Sequence, residues 1–332
     1  MDSNFENLAH RISDEYRDLN GSAIEILEKP PSAIEFSRLV HVSRPVVIKG
    51  LSFPASDRWS NEYLCERMGN RPISVAATPN GFADAITRGP DGGLYFVEPA
   101  VETMTMKEFL ETLDPHGSPS PSTAIHYLQS QNGNLFPPLG NGSENKSEFE
   151  PLARDVPNDI PWCTEALGQN PDAVNLWIGD ERSITSIHSD PYENVYTVIR
   201  GIKHFFLVPP TDSWSLKEKY YPHAKYKRNP SSGTFVIVPS SDTPDVRWSS
   251  IENPELRDAL PEEISPIKVT LHAGETLYLP VGWWHYVRQS GLTIALNWWY
   301  DAEMRGMSWV FLNFLRNSYK IELGNKETAD AP

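Results

Sequence analysis

The sequence predicts a mainly β protein with flanking helices, built around a double-stranded β-helix (jelly-roll) barrel. Three observations carry this. Beyond residue 123 the apolar residues fall into short runs of strand length. Twenty Gly and 29 Pro are spread along 332 residues, so turn signals recur throughout. Ten Trp and 13 Tyr favour pleated, half-buried surfaces. About eight such strands with turns between them close most simply into a jelly roll.

The elements follow in order. Residues 4–19 space Phe5, Leu8, Ile12, Tyr16 and Leu19 three or four apart, which predicts an amphipathic helix. AIEILEKPPS predicts a strand ended by Pro30 and Pro31. SAIEFSRLVHVS predicts a helix with Ser32 as its N-cap, and RPVVIKGL a short buried strand. SNEYLCERMG predicts a helix closed by Gly69, RPISVAATP a strand, and TMTMKEFLETLD another helix. TAIHYLQSQ alternates, and AVNLWIG and TSIHSD are strand-like. NVYTVIRGIKHFFLVPP reads as a hairpin turning at Arg200–Gly201. PIKVTLHAGETLYLP, WWHYVRQS and LTIALNWWYD predict three further strands, divided at residues 280–282 and at Gly291. Residues 133–160 read as a long polar surface loop, and 211–262 as an irregular excursion. The last helix, in MRGMSWVFLNFLRNSYKIEL, gathers Met307, Val310, Phe311, Phe314 and Leu315 on one face. That face is expected to meet either a second copy of the chain or its own barrel. Residues 1–125 are expected to pack on a core of 126–301, with 302–332 as a C-terminal helix and tail. No repeat or linker divides these parts, so one structural unit is expected.

The net charge is −15. Phosphate contacts need Lys and Arg, so this balance argues against generic nucleic-acid binding and suits a basic partner. Cys65 and Cys163 cannot build a disulfide framework or a zinc module, and a reducing, intracellular compartment is expected. The charged start of the chain lacks the apolar stretch of a secretory leader, and no run approaches 18 apolar residues. Neither secretion nor membrane insertion is expected. The sequons at Asn20, Asn141 and Asn145 read as chance matches.

The chemistry concentrates in TSIHSDPYENVYTVIRGIKHFFLVPP. Residues two apart on a strand face the same way, so His188 and Asp190 both point into the barrel mouth. A carboxylate buried there is costly unless something pairs with it. A metal would do so, and two His with one carboxylate form the facial triad of non-haem iron oxygenases. Of nine His, His285 in GWWHYVRQ is the best third ligand, lying near the end of the barrel, 97 residues after His188. His-x-Asp alone is a weak signal, common at surfaces and in hydrogen-bonded pairs. Lys203 strengthens it, sharing strand parity with Phe205 and Leu207, because a Lys in that apolar setting needs an anion unless it snorkels to the surface. His204 has the opposite parity and is not expected to be a ligand.

His-x-Asp, a Lys fifteen residues on, and a distal His before LNWWY together resemble the JmjC-type 2-oxoglutarate oxygenases, within the cupin-like barrels. PPSAIEFSRLVHVSRPVVIKG, ISVAATPNGFADAI, AGETLYLPVGWWHYV and ALNWWYD share the resemblance, which spans most of residues 28–301. Within the family it leans toward small members that hydroxylate lysine. The resemblance implies Fe(II) on His188, Asp190 and His285, with 2-oxoglutarate as cosubstrate and O2 as oxidant. It implies that Lys203 pairs with the distal carboxylate of 2-oxoglutarate, with Tyr127 and Thr185 hydrogen-bonding it. It places Asn194, Tyr196 and Asn297 around the cosubstrate; on residue type alone, the tyrosines could equally be core aromatics and Asn297 a backbone partner. It further implies (3S)-lysyl hydroxylation of a developmentally regulated (DRG-family) GTP-binding protein, in the cytoplasm and also the nucleus, by an enzyme able to form a homodimer. Three alternatives remain open at this level: a JmjC lysine demethylase, a metal-binding cupin without oxidative activity, and a peptidase with Glu193 as its water-activating base.

Overall fold

The structure, a computed structural model, describes residues 3–114, 124–129, 134–136, 147–318 and 321–325. His116, Asn141 and Asn145 lie outside these residues. The largest sheet has nine strands. Its centre is a pair of long antiparallel strands, Tyr192–Val208 and Trp284–Asp301, in register from Tyr192 opposite Asp301 to Val208 opposite Trp284. Each long strand bends, and its two halves take different neighbours. Thr276–Leu279 pairs with residues 194–197, and Ile267–His272 with 202–207. Ala173–Gly179 pairs with residues 293–299 of the other long strand, while Ile184–Ser189 pairs with its first half. The halves therefore form two facing layers, the double-stranded β-helix expected from the sequence.

One expectation is corrected here. Residues 194–210 are not a hairpin: Arg200 and Gly201 form an irregularity inside one 17-residue strand. Gly201 has φ +83°, and a Cβ there would lie 2.5 Å from the Leu292 carbonyl oxygen. Only glycine fits this bend against its neighbour. Gly291 likewise interrupts no strand, so WWHYVRQS and LTIALNWWYD are one element.

Strand alternation sorts the core. Trp177, Tyr196, Val198, Phe205, Leu207, Leu271, Val287 and Trp299 fill the barrel. Val174, Leu176, Val195, Leu296, Trp298 and Tyr300 point outward from one layer into a second core, shared with Phe36, Leu64, Phe109 and Cys163. Phe36 is held by the Ala33–Val42 helix, which Ser32 caps as expected, in a reciprocal box with Glu35. The expected helix over 103–114 starts only at Met106, capped by Thr105, because residues 100–105 pair with Pro72–Thr78. The N-terminal part also joins the large sheet directly, Val46–Ile48 lying beside Thr276–Leu279.

Two segments read as irregular are ordered. Residues 211–262 include four strands. His223–Arg228 pairs with Phe235–Pro239 and, in parallel, with Leu94–Glu98. Within 133–160, Leu135, Phe149, Leu152 and Ile160 are buried in the main core and Glu150–Asp155 is a 3-10 helix, so the described part is not a surface loop. The Met307–Asn317 helix leaves Met307, Val310, Phe311 and Phe314 exposed, which overturns their packing on the barrel; Leu315 is half-buried. No described helix is long and apolar enough to cross a membrane. Cys65 and Cys163 are free.

The buried Asp155 ties the second core together. It accepts from Arg58 Nη1 at 2.7 Å, Trp59 Nε1 at 3.1 Å and the Tyr63 hydroxyl at 2.7 Å. Burial would raise this carboxyl, but Tyr63, Trp59 and Arg58 hold it below its ordinary 3.8. Asp155→Ala strands those donors and is expected to cost about 1–3 kcal/mol in urea unfolding at neutral pH. The depressed folded-state pKa means that this contribution is complete above the unfolded value and fades only as pH falls below 3.8. Equal stability of variant and wild type at pH 7 would show that the network is dispensable.

Candidate metal centre

His188 and His285 stand directly opposite each other on adjacent antiparallel strands. Their ring centroids are 4.2 Å apart. Each ring is fixed through Nδ1 by a backbone carbonyl, Ser186 at 2.8 Å for His188 and Trp283 at 3.0 Å for His285. That leaves both Nε2 atoms turned toward Asp190, at 3.7 Å from Oδ1 and 3.6 Å from Oδ2. The ligand atoms of all three residues lie within 4.8 Å of one another. Burial, with His285 alongside, pushes the His188 pKa down to about 4. Burial alone would raise Asp190, yet the two imidazoles beside it hold it below 3.8. A neutral His188 imidazole and an ionised Asp190 carboxylate are protonation states that suit a metal ligand.

Lys203 lies deeper, only 2% exposed. Its Nζ donates to the Tyr127 hydroxyl at 3.1 Å, which is also hydrogen-bonded with Thr185. No ion pair among the described residues involves Lys203. Burial alone holds its pKa down to about 7. A buried ammonium with one neutral partner is incomplete, and a carboxylate beside it would complete it. Tyr127 reaches this place because residue 179 is glycine: a Cβ there would lie 2.5 Å from the Tyr127 ring. The donor set therefore fits a dicarboxylate with one end at Lys203 and the other toward the triad.

The triad faces a cavity lined by Tyr127, Thr185, His188, Asp190, Asn194, Tyr196, His285 and Asn297, together with residues the sequence reading missed; Lys203 does not line it but bonds to its Tyr127 wall. Asn194 and Asn297 belong to a buried polar network. Asn297 donates to Asn194 at 3.1 Å and accepts from Trp177 at 2.7 Å and Asn175 at 3.3 Å. Tyr196 packs edge-on against Phe205 and serves as a wall. Gln129, Trp177, Phe205, Val287 and Trp299 complete the lining. The Trp299 indole N–H is buried with no partner among the described residues. Register would have revealed Trp177 and Trp299, which follow the pairing of Asn175 with Asn297 and Asn194 with Trp299. Gln129 carried no local signal.

Other candidates stand apart. His204 is half-buried on the other face of the strand and binds Thr270 and Ser290. Glu193 points away from the cavity, accepting from the Tyr278 hydroxyl at 2.7 Å. His126 and His223 pair with Glu102 and Glu98.

A double-stranded β-helix whose mouth gathers two His and one carboxylate, with a buried Lys behind them, has the architecture of a cupin-type oxygenase. The comparisons agree. Residues 31–306 match the cupin-like domain family, and the chain belongs to it, among the JmjC-domain oxygenases that use iron and 2-oxoglutarate. It is 36% identical to Lysine-specific demethylase JMJ32 of Arabidopsis thaliana, over 91% of this chain and 89% of that protein. It is also 36% identical to Bifunctional peptidase and (3S)-lysyl hydroxylase JMJD7 of Homo sapiens, over 85% of each. JmjC domain-containing protein E of Dictyostelium discoideum is 30% identical over 91% of each chain.

His188→Ala, Asp190→Ala and His285→Ala are each expected to weaken Mn(II) binding, followed by electron paramagnetic resonance. The loss should exceed the roughly 10–100-fold typical of removing an outer-shell partner, with the circular dichroism unchanged. Wild-type affinity in any two of these variants would overturn the triad.

Proposed function

We propose that the protein is an Fe(II)- and 2-oxoglutarate-dependent oxygenase that hydroxylates a lysine side-chain carbon in a protein substrate. The observation that carries the oxygenase chemistry is the isolated Lys203 ammonium behind the triad, which a metal-binding protein without a keto-acid cosubstrate would not need. When bound, iron and 2-oxoglutarate activate O2 to insert an oxygen atom into a C–H bond. The chain's own residues do the positioning. His188, Asp190 and His285 would hold the metal and leave one side open. Lys203, Tyr127 and Thr185 would fix the distal carboxylate. Tyr196, Phe205, Trp177 and Trp299 would supply apolar walls that shield the cavity from water.

The choice of hydroxylation follows the human relative, named as a (3S)-lysyl hydroxylase, and the aspartate in His-x-Asp. The Arabidopsis relative, equally identical, is named as a demethylase, so removal of an N-methyl group is the second reading. A peptidase is less favoured, since Glu193 faces the wrong side of its strand. We also propose the family-implied substrate, a lysine of a DRG-family GTP-binding protein, and a cytoplasmic and nuclear location. The exposed Met307, Val310, Phe311 and Phe314 support a homodimer through the last helix.

Two outcomes test the reading. The first is pH dependence. With no anion present, burial keeps Lys203 near a pKa of 7, and a bound carboxylate favours its charged form. Binding of 2-oxoglutarate to the Mn(II)-loaded protein should therefore take up a proton above pH 7. Its affinity should fall by up to about tenfold per pH unit there. Lys203→Met should abolish that slope and cost about 2–5 kcal/mol of binding. An unchanged slope and Kd in the variant would move the cosubstrate elsewhere. The second is the product. Candidate proteins incubated with enzyme, Fe(II), 2-oxoglutarate and O2 should gain one oxygen atom on an unmethylated lysine, seen by mass spectrometry. Formaldehyde release from methyl-lysine peptides, with no oxygenated lysine, would favour the demethylase.

A further inference from the structure

The stretch ISVAATPNGFADAI contains a carboxylate that neither the metal centre nor the keto-acid pocket uses. Asp84 joins two strands of different sheets. Phe82–Ala83 lies at the edge of the large sheet beside Ile184 and Thr185, and Ala85–Arg88 belongs to an outer four-stranded sheet. Its backbone is left-handed, φ +54°, a conformation that Asp and Asn tolerate better than most residues.

Asp84 does not itself line the metal cavity, but it is hydrogen-bonded to two residues that lead to it. Its carbonyl accepts the Ser186 hydroxyl at 2.6 Å, and the Ser186 carbonyl is the one that fixes His188. Its carboxylate is reached by Gln129 Nε2 at 3.5 Å, and Gln129 lines the cavity. Trp248 borders the same place. Its indole N–H donates to Ser186 Oγ at 3.3 Å, and its ring stacks on His188 at 5.8 Å with 8° between planes.

What Asp84 lacks is a cation. Glu98 has Lys225 at 2.7 Å, Glu102 has Arg228 at 2.9 Å, Glu218 has Arg247 at 2.8 Å, and Glu255 has Arg288 at 2.7 Å. No salt bridge among the described residues includes Asp84. Its charged neighbours are Glu98, which opposes its ionisation, and His223, whose Nε2 is already on Glu98 at 3.0 Å. Burial and Glu98 push its pKa up to about 6, which still leaves it mainly ionised at neutral pH. A half-buried carboxylate with one long hydrogen bond and no cation is poorly satisfied by the protein alone.

We propose that Asp84 is the specificity residue that receives the side-chain ammonium of the substrate, oriented by Gln129, so that the carbon chain of an unmethylated lysine crosses the metal cavity. An anchor at one wall sets which methylene lies over the metal. It also favours an ammonium that can donate N–H bonds over a trimethylated one. This rests on the lysine reading above and names the residue that would enforce it.

The test uses n-butylammonium chloride, a mimic of the lysine side chain, and the full-length protein loaded with Mn(II) and 2-oxoglutarate. Mn(II) should relax the methylene protons of butylammonium in a saturable way by NMR. The apparent affinity should drop at least tenfold in Asp84→Asn, a substitution that keeps the shape and tolerates the left-handed backbone. Butyltrimethylammonium and n-butanol should bind the wild type at least tenfold more weakly. Unchanged 2-oxoglutarate binding in Asp84→Asn would show that fold and cosubstrate pocket are intact. Equal butylammonium affinity in the two proteins, or no saturable binding to the wild type, overturns the assignment. The two readings fail differently. Asp84-dependent butylammonium binding with no lysine oxygenated in any protein sinks the hydroxylase and leaves the ammonium site. Lysine oxygenation with an unchanged KM in Asp84→Asn sinks the ammonium site and leaves the hydroxylase.

Discussion

The register between Tyr192–Val208 and Trp284–Asp301 changes by one residue at the bend, and the site depends on that change. Tyr196 lies opposite Asn297, and Lys203 opposite Gln289. Seven steps along one strand thus face eight along the other. In an unbroken strand the side chains at 196 and 203 would point to opposite faces. The irregularity between Val198 and Ile202 reverses the alternation, so Asn194, Tyr196, Lys203 and Phe205 all face the barrel interior. Without it, either the asparagine platform or the lysine would turn into the outer layers. Gly201 is the residue that makes the bend sterically possible.

The interior so formed holds two kinds of polar group. Asn175, Asn194, Asn297 and Trp177 hydrogen-bond to one another and are stable as they stand. They form a fixed platform whose geometry no ligand needs to organise. Lys203, Asp190 and the paired histidines differ. Lys203 and His285 are buried and His188 and Asp190 half-buried, each with its charge or lone pairs incompletely matched by the protein, which costs folding free energy. Such groups are arranged for what binds between them, and the neighbouring satisfied network keeps them in place.

Much of this was legible in the sequence because it is local. His-x-Asp at strand spacing, and Lys203 in phase with Phe205 and Leu207, need only a period of two. The Ser32 and Gly69 helix ends need only capping chemistry. The failures are of two kinds. Arg200–Gly201 has the composition of a hairpin turn, and a strand bend draws on the same glycine freedom, so local chemistry could not separate them. His223–Arg228 was missed although Ala224 and Tyr226 alternate with exposed Lys225 and Lys227; besides nearby Phe235–Pro239, its place is set by a parallel partner, Leu94–Glu98, more than a hundred residues away. Gln129, Trp177 and Trp299 were missed because each reaches the cavity only through contacts between segments distant in sequence, as Asp84 reaches Gln129 and Ser186.

Glu193 shows why that pairing outranks both sequence proximity and acidity. It is three residues from Asp190, and burial raises its pKa to about 7, the value expected of a poised general base. Its strand neighbour Asn194 lines the metal cavity, yet Glu193 faces Tyr278 on the other side of the layer. A general base must reach the water it activates, and the sheet lies between. Asp84 has the reverse character: distant in sequence, also raised by burial, but set against Ser186 and Gln129 at the edge of the cavity. Similar perturbations on two carboxylates thus have different meanings. Sheet topology sets one against Tyr278 on the outer side of the layer and the other beside Ser186 and Gln129, where the proposed ammonium contact would form.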